Sequence, residues 1–108
     1  SMLGPGIAVA DVNNDGLEDF YVGGAANQSG NMFLQTKDGT FKKINESIWL
    51  EDKNSEDMSA VFFDANGDDC IDLYVVSGGN EFEANSPELQ DRLYLNNGSG
   101  DGNPCARF

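Results

Sequence analysis

Two stretches of the chain place oxygen-bearing side chains at alternate positions of a nine-residue loop. The first carries Asp11, Asn13, Asp15, Gly16 and Asp19, in the pattern D-x-N-x-D-G-x-x-D. The second carries Asp64, Asn66, Asp68 and Asp72, with Asp69 where the first has Gly16. Alternation turns positions one, three and five inward, a Gly permits the sharp turn, and the ninth residue closes the ring from the start of the next strand. Position seven, Leu17 or Cys70, has only its backbone carbonyl to offer. Three carboxylates in so short a loop repel one another unless a cation compensates. A hard cation taking about 6–8 oxygens at about 2.3–2.6 Å suits this donor set, which describes Ca²⁺; Mg²⁺ asks for a near-ideal octahedron that a flexible loop does not impose. The expected ligands are Asp11, Asn13, Asp15, Leu17 and Asp19 for one Ca²⁺, and Asp64, Asn66, Asp68, Cys70 and Asp72 for a second. Asp accepts positive φ less readily than Gly, so the second loop is expected to work but to bind more weakly.

Other chemistries fit these residues poorly. An EF-hand opens in the same way but needs a Glu at position twelve and flanking helices. Position twelve is Val22 in the first copy and Val75 in the second, each inside an apolar run. Asx-turn loops with no ion are the plainer alternative. The chain has no His, so Ser-His and Cys-His dyads are impossible within it. Glu81 and Glu83 stand on a polar stretch and read as solvated, not as a catalytic pair. Gly23-Gly24 and Gly78-Gly79 lack the Lys and the following helix of a phosphate loop. The chain therefore reads as non-enzymatic. Cys70 and Cys105 allow one disulfide without requiring it. The expectation is buried or free thiols, and two isolated thiols make no zinc site. Asn27, Asn45 and Asn97 open N-glycosylation sequons, which an Asn-rich chain produces often.

The loops are parts of a longer internal repeat. Asp11 aligns with Asp64, an offset of 53, and the strands around each loop align with it. Further on, Asn31–Gln35 aligns with Asp91–Leu95, an offset of 60, with the added residues placed in a polar surface loop from Asn80 to Gln90. Each copy reads as four short β-branched or aromatic strands bounded by Gly, Asn and Asp. The first set is Ile7–Ala10, Asp19–Val22, Asn31–Gln35 and Thr40–Ile44. The second is Ala60–Phe63, Asp72–Ser77, Arg92–Leu95 and a weak run near the C-terminus. Lys37-Asp38-Gly39-Thr40 and Asn96-Asn97-Gly98 are hairpin-turn chemistry, and Ile44–Leu50 can form one helical turn around Trp49. The boundaries that follow are a leader or vector-derived 1–5, a first repeat 6–50, a charged linker 51–58 and a second repeat 59–108. The fold class is all-β: two four-stranded antiparallel blades of the propeller type, with a β-sandwich as the alternative. Trp49, Phe33, Phe62, Phe63 and Tyr94 read as core between blades before they read as a sugar site.

Composition narrows the partners. With 108 residues there is room for one small domain. A net charge of −13, on only six Lys and Arg, argues against nucleic acid. Six of the 19 acidic residues are the aspartates at positions one, five and nine of the two loops, and two divalent ions would bring the charge from −13 to −9. No apolar run of about 18 residues is present, so no membrane span is expected, and no signal peptide is visible.

The doubled loop and its flanks, Ala8 to Ala25 and Ala60 to Gly79, resemble the FG-GAP/VCBS repeats of integrin α-subunit heads and many bacterial surface proteins. Phe20 to Ala25 stands in the place of the family's Gly-Ala-Pro end, without the Pro. The resemblance spans about residues 6 to 102. It implies that the loop joins the first two strands of a blade and that the matching positions bind Ca²⁺. It also implies an extracellular or cell-envelope setting and a module for adhesion or for binding a protein or glycan. The alternatives are a purely structural Ca²⁺-stabilised scaffold and a non-catalytic piece of a larger secreted enzyme. Family propellers usually carry seven blades and this chain supplies two, so a homo-oligomer or a longer repeat array is expected.

Overall fold

The computed structural model of the chain describes residues 6–24, 28–44, 48–49, 56–78, 91–97, 105 and 108. The described residues form seven strands: β1 (Ile7–Ala10), β2 (Asp19–Val22), β3 (Asn31–Gln35), β4 (Phe41–Ile44), β5 (Glu56–Phe63), β6 (Asp72–Gly78) and β7 (Arg92–Tyr94). They form one sheet in the order β1-β2-β3-β4 and a second in the order β5-β6-β7. Every pairing is antiparallel between neighbours in sequence. The architecture is all-β, as the strand and turn pattern requires. The predicted eighth strand, the stretch from Asn80 to Gln90, residues 1–5 and the linker from 51 to 55 lie outside the described residues. β5 begins at Glu56, ahead of Ala60 where sequence places it. Glu56 and Asp57, expected in the linker, pair with Gly78 and Ser77, and a bulge between Asp57 and Ser59 restores the register.

Between β3 and β4 the turn forms as its residues dictate. Gly39 takes φ +86°, the Thr36 N–H donates to the Thr40 carbonyl at 2.8 Å, and the Asp38 carboxylate accepts from the Thr36 and Thr40 hydroxyls.

Strand alternation gives each sheet an inner and an outer face. Ala8, Tyr21 and Met32 sit side by side across the first sheet and are buried, as are Leu73 and Val75 of the second. Trp49 fills the space between the sheets at 2 % exposure, within the one helical stretch that the described residues show, Ile48 and Trp49. Its indole N–H donates to the Ile44 carbonyl at 2.9 Å. Its ring meets Tyr21 at 5.3 Å and Tyr94 edge-on at 4.8 Å. Burial on this scale makes Trp49 worth about 3–5 kcal/mol against Ala. Of the five aromatics expected between blades, Trp49, Phe62 and Tyr94 belong to this core, whereas Phe63 is exposed. Phe33 stacks on Phe20 on the outer face of the first sheet.

The ladders also correct the repeat alignment. Phe20 pairs with Phe33, and its equivalent Leu73 pairs with Tyr94. Phe33 therefore corresponds to Tyr94, an offset of 94 − 33 = 61 and not 60. The side chains agree. A Cβ on Gly30 would lie 2.2 Å from the Tyr21 hydroxyl, while at the equivalent place Asp91 accepts from the Tyr74 hydroxyl at 2.7 Å. A slip of one residue reverses which side chains share a face, so the difference decides which residues of β7 point inward.

The first strands of the two sheets, β1 and β5, lie beside each other. A Cβ on Gly6 would fall 2.6 Å from the Ser59 Cα, so the absence of a side chain there is what lets the two backbones approach so closely.

Candidate metal centre

Each nine-residue loop connects the first two strands of its sheet, β1 to β2 and β5 to β6. The two loops fold by one hydrogen-bond pattern, with one donor more to the first aspartate of the second loop. Asp11 at position one accepts from the Asp15 N–H at 3.2 Å and the Gly16 N–H at 2.8 Å. Asp64 accepts from Gly67, Asp68 and Asp69 at 2.9, 3.2 and 2.9 Å. At position five, Asp15 takes the Leu17 N–H at 2.9 Å and Asp68 takes the Cys70 N–H at 3.0 Å. At position nine, Asp19 joins the loop's first turn to the end of β3, accepting from Val12 at 2.9 Å and Gln35 at 2.8 Å. Asp72 does the same with Ala65 and Asn96, both at 2.8 Å. These are short polar side chains ordering their own backbone, which Asp does well.

Turn geometry sharpens the contrast between the loops. Positive φ occurs at positions four and six of both: Asn14 (57°) and Gly16 (84°) in the first, Gly67 (74°) and Asp69 (67°) in the second. Asp69 thus makes the turn expected of it. The second loop is not short of a glycine; its glycine stands at position four instead of position six.

Three carboxylates converge in each loop. One oxygen each from Asp11, Asp15 and Asp19 lie within 4.8 Å of one another, and the same is true of Asp64, Asp68 and Asp72. Each triad can hold a metal ion. Asp19 and Asp72 are fully buried at the loop floor, and Asp15 and Asp68 are exposed at the mouth. Burial pushes the Asp19 carboxyl above its ordinary value; the Gln35 and Val12 N–H groups pull it back, and the Asp15 and Asp11 charges push it up again. For Asp64, burial disfavours ionisation, but the donors from Asp69, Gly67, Asp68 and Asn66 outweigh it and hold the carboxyl below the usual value.

The donor set fits a cation of this size. Opposite oxygens around Ca²⁺ stand about 4.6–5.2 Å apart, twice the bond length, so the triads fall within one coordination shell. An ionised carboxylate has about four lone-pair sites; Asp19 uses two on Val12 and Gln35, leaving the others for an ion. Asn13 brings its amide to the same point, 3.0 Å from Asp15 Oδ1 and 3.1 Å from Asp11 Oδ1, where its NH₂ donates to both in the absence of a cation. Rotated by half a turn, the amide presents its oxygen to an ion instead.

Residues 11–75 match the FG-GAP-like repeat family, which is more than half of the 108-residue chain. The chain belongs to that family. Comparison with curated proteins and with solved structures returns no match. As an FG-GAP-like repeat the chain is a β-rich module of a generally non-catalytic kind. Among the described residues no helix is long and apolar enough to cross a membrane.

Three features of the FG-GAP-like loops were not foreseen. Cys70 and Cys105 form a disulfide, with Cα atoms 5.5 Å apart, and are not the free thiols expected. The fold brings Cys105 back against the second loop, a proximity that a separation of 35 residues does not reveal. Asn96, read as part of a turn, is fully buried, and its Nδ2 donates to the Val12 carbonyl at 2.8 Å. Asn14 of the first loop reaches the second, donating to Cys105 Sγ at 3.3 Å and to the Asp69 carbonyl at 3.5 Å. The only sequence signal for these contacts was an excess of Asn, which did not say which Asn faces inward.

Proposed function

We propose that this FG-GAP-like repeat is a Ca²⁺-stabilised, non-catalytic binding or adhesion module that works outside the cell or in the cell envelope. The observation that carries the reading is the duplicated carboxylate triad, Asp11/Asp15/Asp19 and Asp64/Asp68/Asp72, built on one hydrogen-bond pattern in both copies. Asp11, Asn13, Asp15, Asp19 and the Leu17 carbonyl would hold one ion. Asp64, Asn66, Asp68, Asp72 and the Cys70 carbonyl would hold the other. The ion neutralises a loop whose floor is a buried carboxylate and fixes the β1–β2 and β5–β6 connections, so binding is linked to folding. Extracellular Ca²⁺ is abundant enough for loops of modest affinity, and a disulfide supports an oxidising compartment. The partner fitting such a module is a protein or a glycan met by its loops.

Thermal unfolding tests the metal reading. Chelation with EDTA lowers the melting temperature and added Ca²⁺ restores it, while Asp19→Asn combined with Asp72→Asn removes the response. A melting curve indifferent to EDTA and to Ca²⁺ overturns the reading.

A further inference from the structure

Among the described residues two apolar sheet faces remain open, and their repeat positions identify what covers them. The first sheet buries the face carrying Ala8, Tyr21 and Met32. The second buries Leu73 and Val75, with Ala60, Phe62 and Tyr94 packed beside them. At offsets of 53 and 61, those second-sheet residues correspond to Val22, Phe20, Ile7, Val9 and Phe33, which lie on the opposite, outer face of the first sheet. The interface inside the chain is therefore heterologous: one face of the first repeat meets the other face of the second.

The faces left over are the same pair. On the first sheet, Ile7, Val9 and Phe41 are 63 %, 57 % and 48 % exposed, and Phe41 lies edge-on to Phe20 at 5.1 Å. On the second, Val61, Phe63, Leu93 and Leu95 are 49 %, 43 %, 47 % and 37 % exposed. Val61 and Leu93 correspond to Ala8 and Met32, which the first sheet buries. Contiguous exposed apolar surface of this kind marks an interaction site.

We propose that a second copy of this chain docks head to tail, the Val61/Leu93 face of one copy on the Ile7/Val9 face of the next, repeating between chains the interface that already exists within each. The contact continues an established one in kind, with equivalent residues on both sides. Same-face pairing would place like on like, which the internal interface does not do. Asp72 pairs with Phe63 on the Val61/Leu93 face but is fully buried there, so the side chains offered to the partner are the apolar ones.

Sedimentation velocity on the 108-residue chain at several concentrations tests this. The wild type is expected to grow in sedimentation coefficient with concentration. Val9→Glu blocks one face and Leu93→Glu the other; both positions are exposed, and circular dichroism checks the fold. Should either fail to fold, Ile7→Glu and Val61→Glu address the same two faces. Each variant alone stays monomeric, while an equimolar mixture forms a 1:1 pair that grows no further, because only one complementary pair of faces remains. A wild type that is monomeric throughout overturns the proposal, and so does either variant self-associating as the wild type does.

Discussion

The Asn96 side chain donates a 2.8 Å hydrogen bond to the Val12 carbonyl, across 84 residues of sequence and between the two sheets. Val12 in turn donates its N–H to Asp19, and Asn96 donates its own to Asp72. The two buried carboxylates at the loop floors are thus joined through a short set of buried hydrogen bonds. Replacing Asn96 with Leu leaves a buried carbonyl without its donor, an expected loss of about 1–3 kcal/mol in denaturant unfolding. Asn97→Leu, at an exposed neighbour, should change stability by no more than about 0.5 kcal/mol. Equal effects of the two substitutions would show that the buried bond is not what matters.

Backbone handedness separates the two loops. Gly16→Ala meets no atom within 4 Å, so its whole cost is the left-handed backbone, about 1–2 kcal/mol. Asp69→Gly relieves a similar strain but adds about 0.5–1 kcal/mol of chain entropy, for a net gain below about 1.5 kcal/mol. Differential scanning calorimetry in saturating Ca²⁺ checks both signs, and a stabilising Gly16→Ala would contradict the account.

Opening the disulfide should act on one loop more than the other. Its closed segment spans a separation of 35 residues, and a crosslink of that length is worth about 2–4 kcal/mol. Cys105→Ser should lower stability by that order. Because Cys70 occupies position seven, amide exchange should quicken at Cys70 and Asp69 more than at Asp15 and Gly16. Uniform quickening across both loops would argue against a local role.

The β3–β4 turn carries a pH dependence of its own. Hydrogen bonds from Thr36 and Thr40 hold the Asp38 carboxyl down to about 2, below its ordinary value of 3.8. A depressed carboxyl stabilises the fold above the unfolded value, and that contribution fades as pH falls from about 4 through about 2. Asp38→Asn should flatten the fall in melting temperature over that interval and leave the curve above it parallel to wild type. An unchanged acid slope would assign the loss to other carboxylates.

Much of the fold is legible in the chain because strands and turns are local. Ile7–Ala10, Asp19–Val22 and Asn31–Gln35 form at the bounds their alternation gives, and Gly39 turns where it was expected to. The loop triads converge for the same reason: each lies within nine residues, and short side chains order the backbone around them. What sequence left ambiguous is what alternation cannot resolve across a gap of uncertain length. One residue of offset between β3 and β7 changed which side chains face inward, and only the ladder through Phe33 and Tyr94 fixed it.

Residue types and their spacing therefore determined by themselves the two acidic loops, the repeat, and strands that could only pair as sheets. Tertiary structure alone decided which face of each sheet is covered, that Cys70 meets Cys105, and that Asn96 bridges the loops. Those outcomes depend on segments brought together from distant parts of the chain, where contact follows from the packing of one whole sheet on another and not from the preferences of any short stretch.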